Sequence, residues 1–241
     1  MTNVTEIAPD VFRLSTYVPD ARLQFNQFLV RDDEPMLYHT GLRLMFPELR
    51  EAVARMMDPA RLRWIGFSHF EADECGALNE WLTIAPDAGV VCGVTAAGVN
   101  IGDFALRAPH GMTRDQVLVT GKNRFRLYAT PHLPHGWDAA MLFEENHGTL
   151  FCSDLFHQSF DVAPLVTDDL LERTREALLT YEAGPMPAYM PYAPGTERLL
   201  NGLAMLNPAT LAVMHGSSFS GDGGRALRGL APVLREIFGG R

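Results

Sequence analysis

The chain has 241 residues, 47% of them hydrophobic, and 20 basic against 29 acidic side chains give a formal charge of −9. That length can bury a substantial core, the acidic balance without a clustered Lys/Arg stripe excludes a nucleic-acid partner, and no stretch is long and apolar enough to span a membrane. Three scattered cysteines (Cys75, Cys92 and Cys152) make neither a disulfide framework nor a CxxC metal site, and the first residues lack a signal-peptide pattern, so a cytoplasmic protein is expected.

Val11–Leu14 and Leu23–Val30 alternate as strands, and Arg31–Pro35 turns the chain into a third, Met36–Tyr38, closed by His39-Thr40-Gly41. Pro47 opens a helix on which Leu49, Ala52, Val53, Met56 and Met57 form one apolar stripe, stopped at Asp58-Pro59. The apolar run Leu62, Trp64, Ile65 and Phe67 reads as a buried strand. It feeds the polar stretch Ser68-His69-Phe70-Glu71-Ala72-Asp73-Glu74-Cys75, where an extended backbone would point His69, Glu71 and Asp73 to one side. Short strands are then expected at 89–92, 116–119, 124–128, 140–143 and 149–152. Helices follow at 168–181 and around 197–206, joined by a Gly- and Pro-rich loop over 184–195. A last strand at 211–214 precedes a helical tail from Arg225 to Phe238, which Pro232 is expected to kink or restart. No linker, low-complexity block or repeat interrupts this order, so residues 1–241 read as a single domain. Two packed sheets with helices outside would use every element.

Four of these strand ends carry metal-type ligands. They offer His69, Glu71 and Asp73, then His135 or His132, then Asp154, and finally His215. Three imidazoles and three carboxylates suit two metal ions about 3.5–4 Å apart with one carboxylate bridging. Glu71, in place of a further imidazole, makes the set harder and more anionic, which favours iron or manganese over a zinc pair. GxSxG is absent, so Ser68 and Ser153 have no nucleophile-elbow context.

In order and spacing this set resembles the metallo-β-lactamase superfamily, and within it the diiron branch of flavodiiron core domains and stand-alone oxygen-binding diiron proteins. The motif is His69-x-Glu71-x-Asp73, the HxExD form of the diiron branch, where the zinc hydrolases typically show HxHxDH with His at the third position. Gaps of 61 residues to His135, 18 to Asp154 and 60 to His215 follow the diiron pattern and select His135 over His132. The resemblance implies an α+β fold, the four-layer αββα sandwich. It implies one iron held by His69, Glu71 and His135, a second held by Asp73 and His215, and Asp154 bridging; manganese and zinc are the other candidate ions. Many relatives carry histidine directly after the Asp, where this chain has Glu74, which leaves three options: coordination, turning away to leave an open site (the favoured one), or facing solvent.

The resemblance further implies a non-haem diiron protein that binds O2 as a sensor or carrier, or that reduces O2 or NO with electrons from a separate flavoprotein or rubredoxin. The chain ends in a helix soon after His215, so no FMN site of its own is expected. A homodimer is the default oligomer. The alternative is a binuclear metal-dependent hydrolase of the same superfamily, acting on a thioester, lactone or phosphoester. Around the ligands, His132, His157 and His39 are candidates to orient them through hydrogen bonds. Tyr181 and Tyr189 fall where a loop would cover the metals and a phenol could meet a small ligand. His110 and His147 read as surface residues.

Overall fold

The computed structural model describes residues 1–240 apart from 169 and 185. Asp169 and Pro185, within the expected 168–181 helix and 184–195 loop, and Arg241 lie outside the described residues. The first sheet is ordered β1 (Asn3–Ala8), β2 (Val11–Val18), β3 (Leu23–Val30), β4 (Met36–Tyr38), β5 (Trp64–Gly66), β6 (Gly89–Gly93) and β7 (His110–Met112). Its first four strands are an antiparallel meander, and β4 to β7 run parallel. The second sheet comprises β8 (Val117–Val119), β9 (Arg124–Ala129), β10 (Ala140–Glu144), β11 (Thr149–Phe151), β12 (Leu165–Val166), β13 (Thr210–Ala212) and β14 (Ser218–Ser220). Its spatial order is β12-β14-β13-β11-β10-β9-β8.

Three apolar clusters define the layers. Between the sheets, Phe28, Met36 and Tyr38 of the first meet Phe125, Leu142 and Phe151 of the second. Outside the first sheet, Leu49 and Val53 of the Phe46–Ala54 helix and Trp81 of the Leu78–Ile84 helix cover Leu14, Leu29 and Ile65. Outside the second, Leu178, Leu200, Leu227 and Leu234 of three helices (Leu171–Glu182, Thr196–Ala204 and Gly223–Phe238) cover Met141, Leu150 and Leu211. Each sheet thus buries both faces, one against its partner and one against helices, and the expected αββα sandwich is the observed architecture.

Two local expectations are corrected. The helix at 46–54 ends before Met56 and Met57, which pack half-buried in the following turn, so the apolar stripe outlasts the helix. The tail helix runs unbroken from Gly223 through Pro232 to Phe238. Pro232 is on the exposed side, where water can satisfy the carbonyl its missing N–H leaves free, so packing of Leu230, Ala231 and Leu234 carries the helix through. Asp222 caps this helix by accepting a 2.8 Å hydrogen bond from the Arg225 amide. Asp222→Ala is expected to cost about 1 kcal/mol and to lower Tm by roughly 2–4 °C, read by thermal unfolding; an unchanged Tm would refute the cap's contribution.

Candidate metal centre

The four ligand-bearing segments leave the strands at one edge of the sandwich. β5 leads to His69, the β9–β10 connection carries His135, β11 runs out to Asp154 and β13 to His215. The expected extended stretch does not form: residues 68–70 bend, the Glu71 amide donates to the His69 carbonyl at 3.1 Å, only Glu71 itself is extended (φ −140°, ψ 157°), and Ala72–Cys75 is a short helical turn, so Asp73 reaches the site from a first helical turn. Asp138 ties the loops together by accepting from the Phe70 amide at 3.1 Å and from Asn100 Nδ2 at 3.0 Å.

All six candidate ligands come together, and they divide into two sets. Glu71 Oε2 lies 2.9 Å from His69 Nε2 and 2.8 Å from His135 Nε2. Asp154 Oδ2 faces the same pair, at 3.6 Å from His69 Nε2 and 3.5 Å from His135 Nε2. These four residues offer ligand atoms within 4.8 Å of one another, a spacing that fits one metal ion. On the other side, His215 Nε2 lies 3.1 Å from Asp154 Oδ1 and 3.2 Å from Asp73 Oδ2. Asp154 therefore turns one oxygen to each set.

Each imidazole is anchored by its other nitrogen. His215 Nδ1 sits 2.9 Å from the Gln24 carbonyl and His135 Nδ1 3.1 Å from the Tyr189 carbonyl, and a carbonyl can only accept, so both rings carry a proton on Nδ1 and turn Nε2 inward, the nitrogen a metal would take. His69 Nδ1 is 2.7 Å from Ser68 Oγ. This is how metal-ligating histidines are held.

The electrostatics match a site for cations. Burial works against protonation of His69, but Glu74, the hydrogen bond to Glu71 and Asp154 outweigh it and lift its pKa to about 10. His215 is likewise raised far above the ordinary histidine value: burial opposes this, and hydrogen bonds to Asp154 and Asp73 override it. Glu71 is held down to about 2 by hydrogen bonds from His135 and His69. Anions that raise proton affinity this way would favour a bound metal ion over a proton for the same reason. The donor set thus fits two ions, and the cleft of about 360 Å³ lined by Glu71, His135, Met186, Pro187 and Tyr189 opens onto it.

Glu74 takes none of those inward positions. It is 0% exposed, so it does not face solvent, and it pairs with His39 beneath His69. His157, three residues after Asp154, is a more central neighbour than its sequence position announced. It is 1% exposed, with its ring 5.0 Å from that of His215, 4.6 Å from Tyr181 and 5.3 Å from Tyr189. Burial, helped by His215 and His135, pushes its pKa down to about 3, so it stays neutral. Tyr189 packs on His135 with rings 5.2 Å apart and on Tyr181 at 5.1 Å; Tyr181 belongs to the last turn of the Leu171–Glu182 helix and not to a loop. His132 is exposed on its turn, its amide donating to the Gly136 carbonyl at 2.7 Å, and its side chain makes none of these contacts.

The sequence profile of the ODP family beta lactamase matches residues 23–216. The chain is 25% identical over 213 residues to the nitric oxide reductase of Moorella thermoacetica, covering 86% of this chain and 52% of that protein. It is 25% identical over 206 residues to the rubredoxin-oxygen oxidoreductase of Megalodesulfovibrio gigas, covering 82% and 49%. The chain thus spans about half the length of these curated relatives, and 31% of the anaerobic nitric oxide reductase flavorubredoxin of Klebsiella pneumoniae, which is 25% identical over 150 residues, 61% of this chain. Among solved structures, rubredoxin oxygen:oxidoreductase from Desulfovibrio gigas superposes with a TM-score of 0.82 at 20% identity, over 95% of this chain and 61% of that one. The flavodiiron protein of Giardia intestinalis gives 0.75 at 16% identity, over 98% and 59%. A fragment of a putative diflavin flavoprotein from Nostoc gives 0.77 at 17% identity, over 98% and 94%. The fold is the metallo-β-lactamase fold of these cores, and with its profile covering most of the sequence the chain belongs to the ODP family beta lactamase.

Proposed function

We propose that this chain is a non-haem diiron protein that binds O2 or NO at the site built by His69, Glu71, Asp73, His135, Asp154 and His215. The observation that carries the reading is the two-sided use of Asp154, with Oδ2 toward His69 and His135 and Oδ1 toward His215. In this reading His69, Glu71 and His135 hold one ion, Asp73 and His215 the other, and Asp154 bridges. Two ferrous ions would supply the electrons and coordination sites that O2 or NO binding needs. The protein's own part is to aim three Nε2 atoms inward by their Nδ1 anchors, and to pack Tyr181, Tyr189 and neutral His157 against the His135 and His215 rings. Glu71 and the carboxylate excess favour iron or manganese over a hydrolytic zinc pair.

The relatives named for nitric oxide reduction and for oxygen reduction with rubredoxin support the same small ligands for this chain. Sustained reduction would draw on a separate flavoprotein or rubredoxin as donor, while reversible binding would make it a sensor or carrier. We read residues 1–241 as one domain, a homodimer as the expected oligomer, and a reducing, cytoplasmic compartment from three unpaired cysteines.

Metal analysis of anaerobically purified protein, followed by an optical spectrum before and after admitting air, tests this. About two irons per chain and a new band that fades when O2 is removed is the expected result. Two irons oxidised irreversibly would favour the reductase form with an external donor. Two zincs and a silent spectrum would overturn the proposal and favour the hydrolase alternative.

A further inference from the structure

A second cleft, of about 630 Å³, opens between the turn at 19–22, the loop at 159–162 and the Leu171–Glu182 helix, and it has the size of a small-molecule pocket. Phe160, Val162, Ala177 and Tyr181 give it an apolar lining, and Arg22 and Arg173 bring it two guanidinium groups. Among the described residues neither guanidinium is in an ion pair, whereas those of Arg31, Arg175 and Arg235 each meet a carboxylate. In a chain of net charge −9, two unneutralised cations on one cleft reverse the local sign. None of the six candidate metal ligands lines this cleft. Tyr181, on its wall, lies 4.6 Å ring to ring from His157.

Two backbone outliers shape the rim. Arg22 has φ +52° and Phe160 has φ +74°, in a left-handed region that bulky side chains rarely enter. The two are joined, the Phe160 amide donating to the Arg22 carbonyl at 2.6 Å. Gln24 Nε2 ties down the same wall by donating to Asp161 Oδ1 at 2.7 Å and to the Val162 carbonyl at 3.0 Å. Burial of the Phe160 ring does not account for this conformation, because the residue is 57% exposed. Strained residues that their surroundings hold in place cluster at ligand clamps. Here they fix a ring and a guanidinium on one wall before any ligand arrives, which lowers the ordering cost of binding.

We propose that this cleft binds an aromatic anion, a small molecule with a planar ring and one carboxylate, sulfonate or phosphate group. Phe160 and Tyr181 offer the ring offset or edge contacts. Arg22 and Arg173 offer the anion forked N–H donors that match its oxygens. Glu176 is the one acidic residue on the wall. It leaves a single net positive charge, which suits a singly charged ligand better than a polyanion. The proposal stands apart from the metal reading, because it draws on none of the metal-ligand candidates.

The test titrates naphthalene sulfonate into the full chain and reads binding by calorimetry. A sulfonate is a poor metal ligand and no hydrolysable ester, so the metal centre does not compete for it. Wild type should show a single saturable site, and naphthol, the ring without the anion, should bind about 10-fold more weakly. The double variant Arg22→Gln, Arg173→Gln should lose roughly 10-fold for the sulfonate and stay within about 2-fold for naphthol. Thr180→Trp fills the cleft from its helical wall and should weaken both probes by about 10-fold or more. Arg22, Arg173 and Thr180 are exposed, so both variants should keep the wild-type thermal midpoint; should the double variant fail to fold, Thr180→Trp decides alone. Wild type without saturable binding, or with naphthol bound as tightly as the sulfonate, overturns the proposal. So do folded variants that bind both probes like wild type, since the probe then sits elsewhere.

Discussion

In Asp154→Asn protein, metal content is expected to fall from about two ions per chain to fewer than about one, with the fold retained. Asn keeps the shape of Asp but offers one carbonyl oxygen and one NH2, and the NH2 donates where a metal needs a lone pair. Because Oδ2 faces His69 and His135 while Oδ1 faces His215, whichever way the amide turns it places a donor against one set of Nε2 atoms. The lost anion weakens the other set as well. Removing a hydrogen-bonding partner outside a metal's ligands costs about 10–100-fold in affinity, so loss of the shared carboxylate should exceed about 100-fold at one ion and be measurable at both. Glu71→Gln provides the contrast: Glu71 contacts His69 and His135 only, so one ion should go and one remain. Mass-spectrometric metal analysis after equal dialysis reads this directly. An Asp154→Asn protein that keeps two ions would remove Asp154 from the bridging role and reopen the assignment of the whole site.

The cluster of candidate ligands was legible in the sequence because its members follow strands, and because its order and gaps resemble the diiron branch, which selected His135 where the residues alone left His132 open. His69, Glu71, Asp73, His135, Asp154 and His215 could be named without coordinates, and the structure brings all six together. What stayed hidden depends on contacts that cross the chain. Glu74 stood out only as the residue where many relatives carry histidine; its partners His39 and Ser153 come from other loops, and nothing near it in sequence says that it is buried against them. His157 had only its nearness to Asp154 as a signal, and its burial against His215 is a product of the fold. The short strands β7, β12 and β14 escaped because two or three residues carry no period, and they are strands only because a neighbour pairs with them. Pro232 misled for the opposite reason: a strong local rule lost to tertiary packing of the tail helix.

Asn26→Leu is expected to destabilise the protein by roughly 1–3 kcal/mol and to loosen His215 in the same step. Asn26 lies on β3 in the first sheet, beyond the reach of the short β4, and is fully buried. Its amide N–H donates to the Met214 carbonyl at 3.0 Å, and its Nδ2 donates to the carbonyls of Val213 at 2.8 Å and Gly216 at 2.9 Å. Those acceptors are the backbone on either side of His215, so one side chain from the first sheet holds the ligand-bearing turn of the second. Arg13 Nη2 adds a 2.9 Å bond to the same Gly216 carbonyl, and Gly216 has φ +107°, where an added Cβ would lie 2.6 Å from the Cβ of Gln158. A residue with a side chain could therefore not replace Gly216 without strain. Leucine keeps the branched shape and heavy-atom count of Asn, though it is bulkier, and it strips the Val213 carbonyl of its side-chain donor and leaves the Gly216 carbonyl to the Arg13 side chain. A buried acceptor left without a donor costs about 1–3 kcal/mol, which sets the range. Chemical denaturation of metal-free protein should show the loss in the midpoint without a change in m. The metal-bound form should show more, because an unanchored His215 also surrenders binding energy that stabilises the native state. Equal losses with and without metal would mean that Asn26 joins the sheets but does not hold His215 in place.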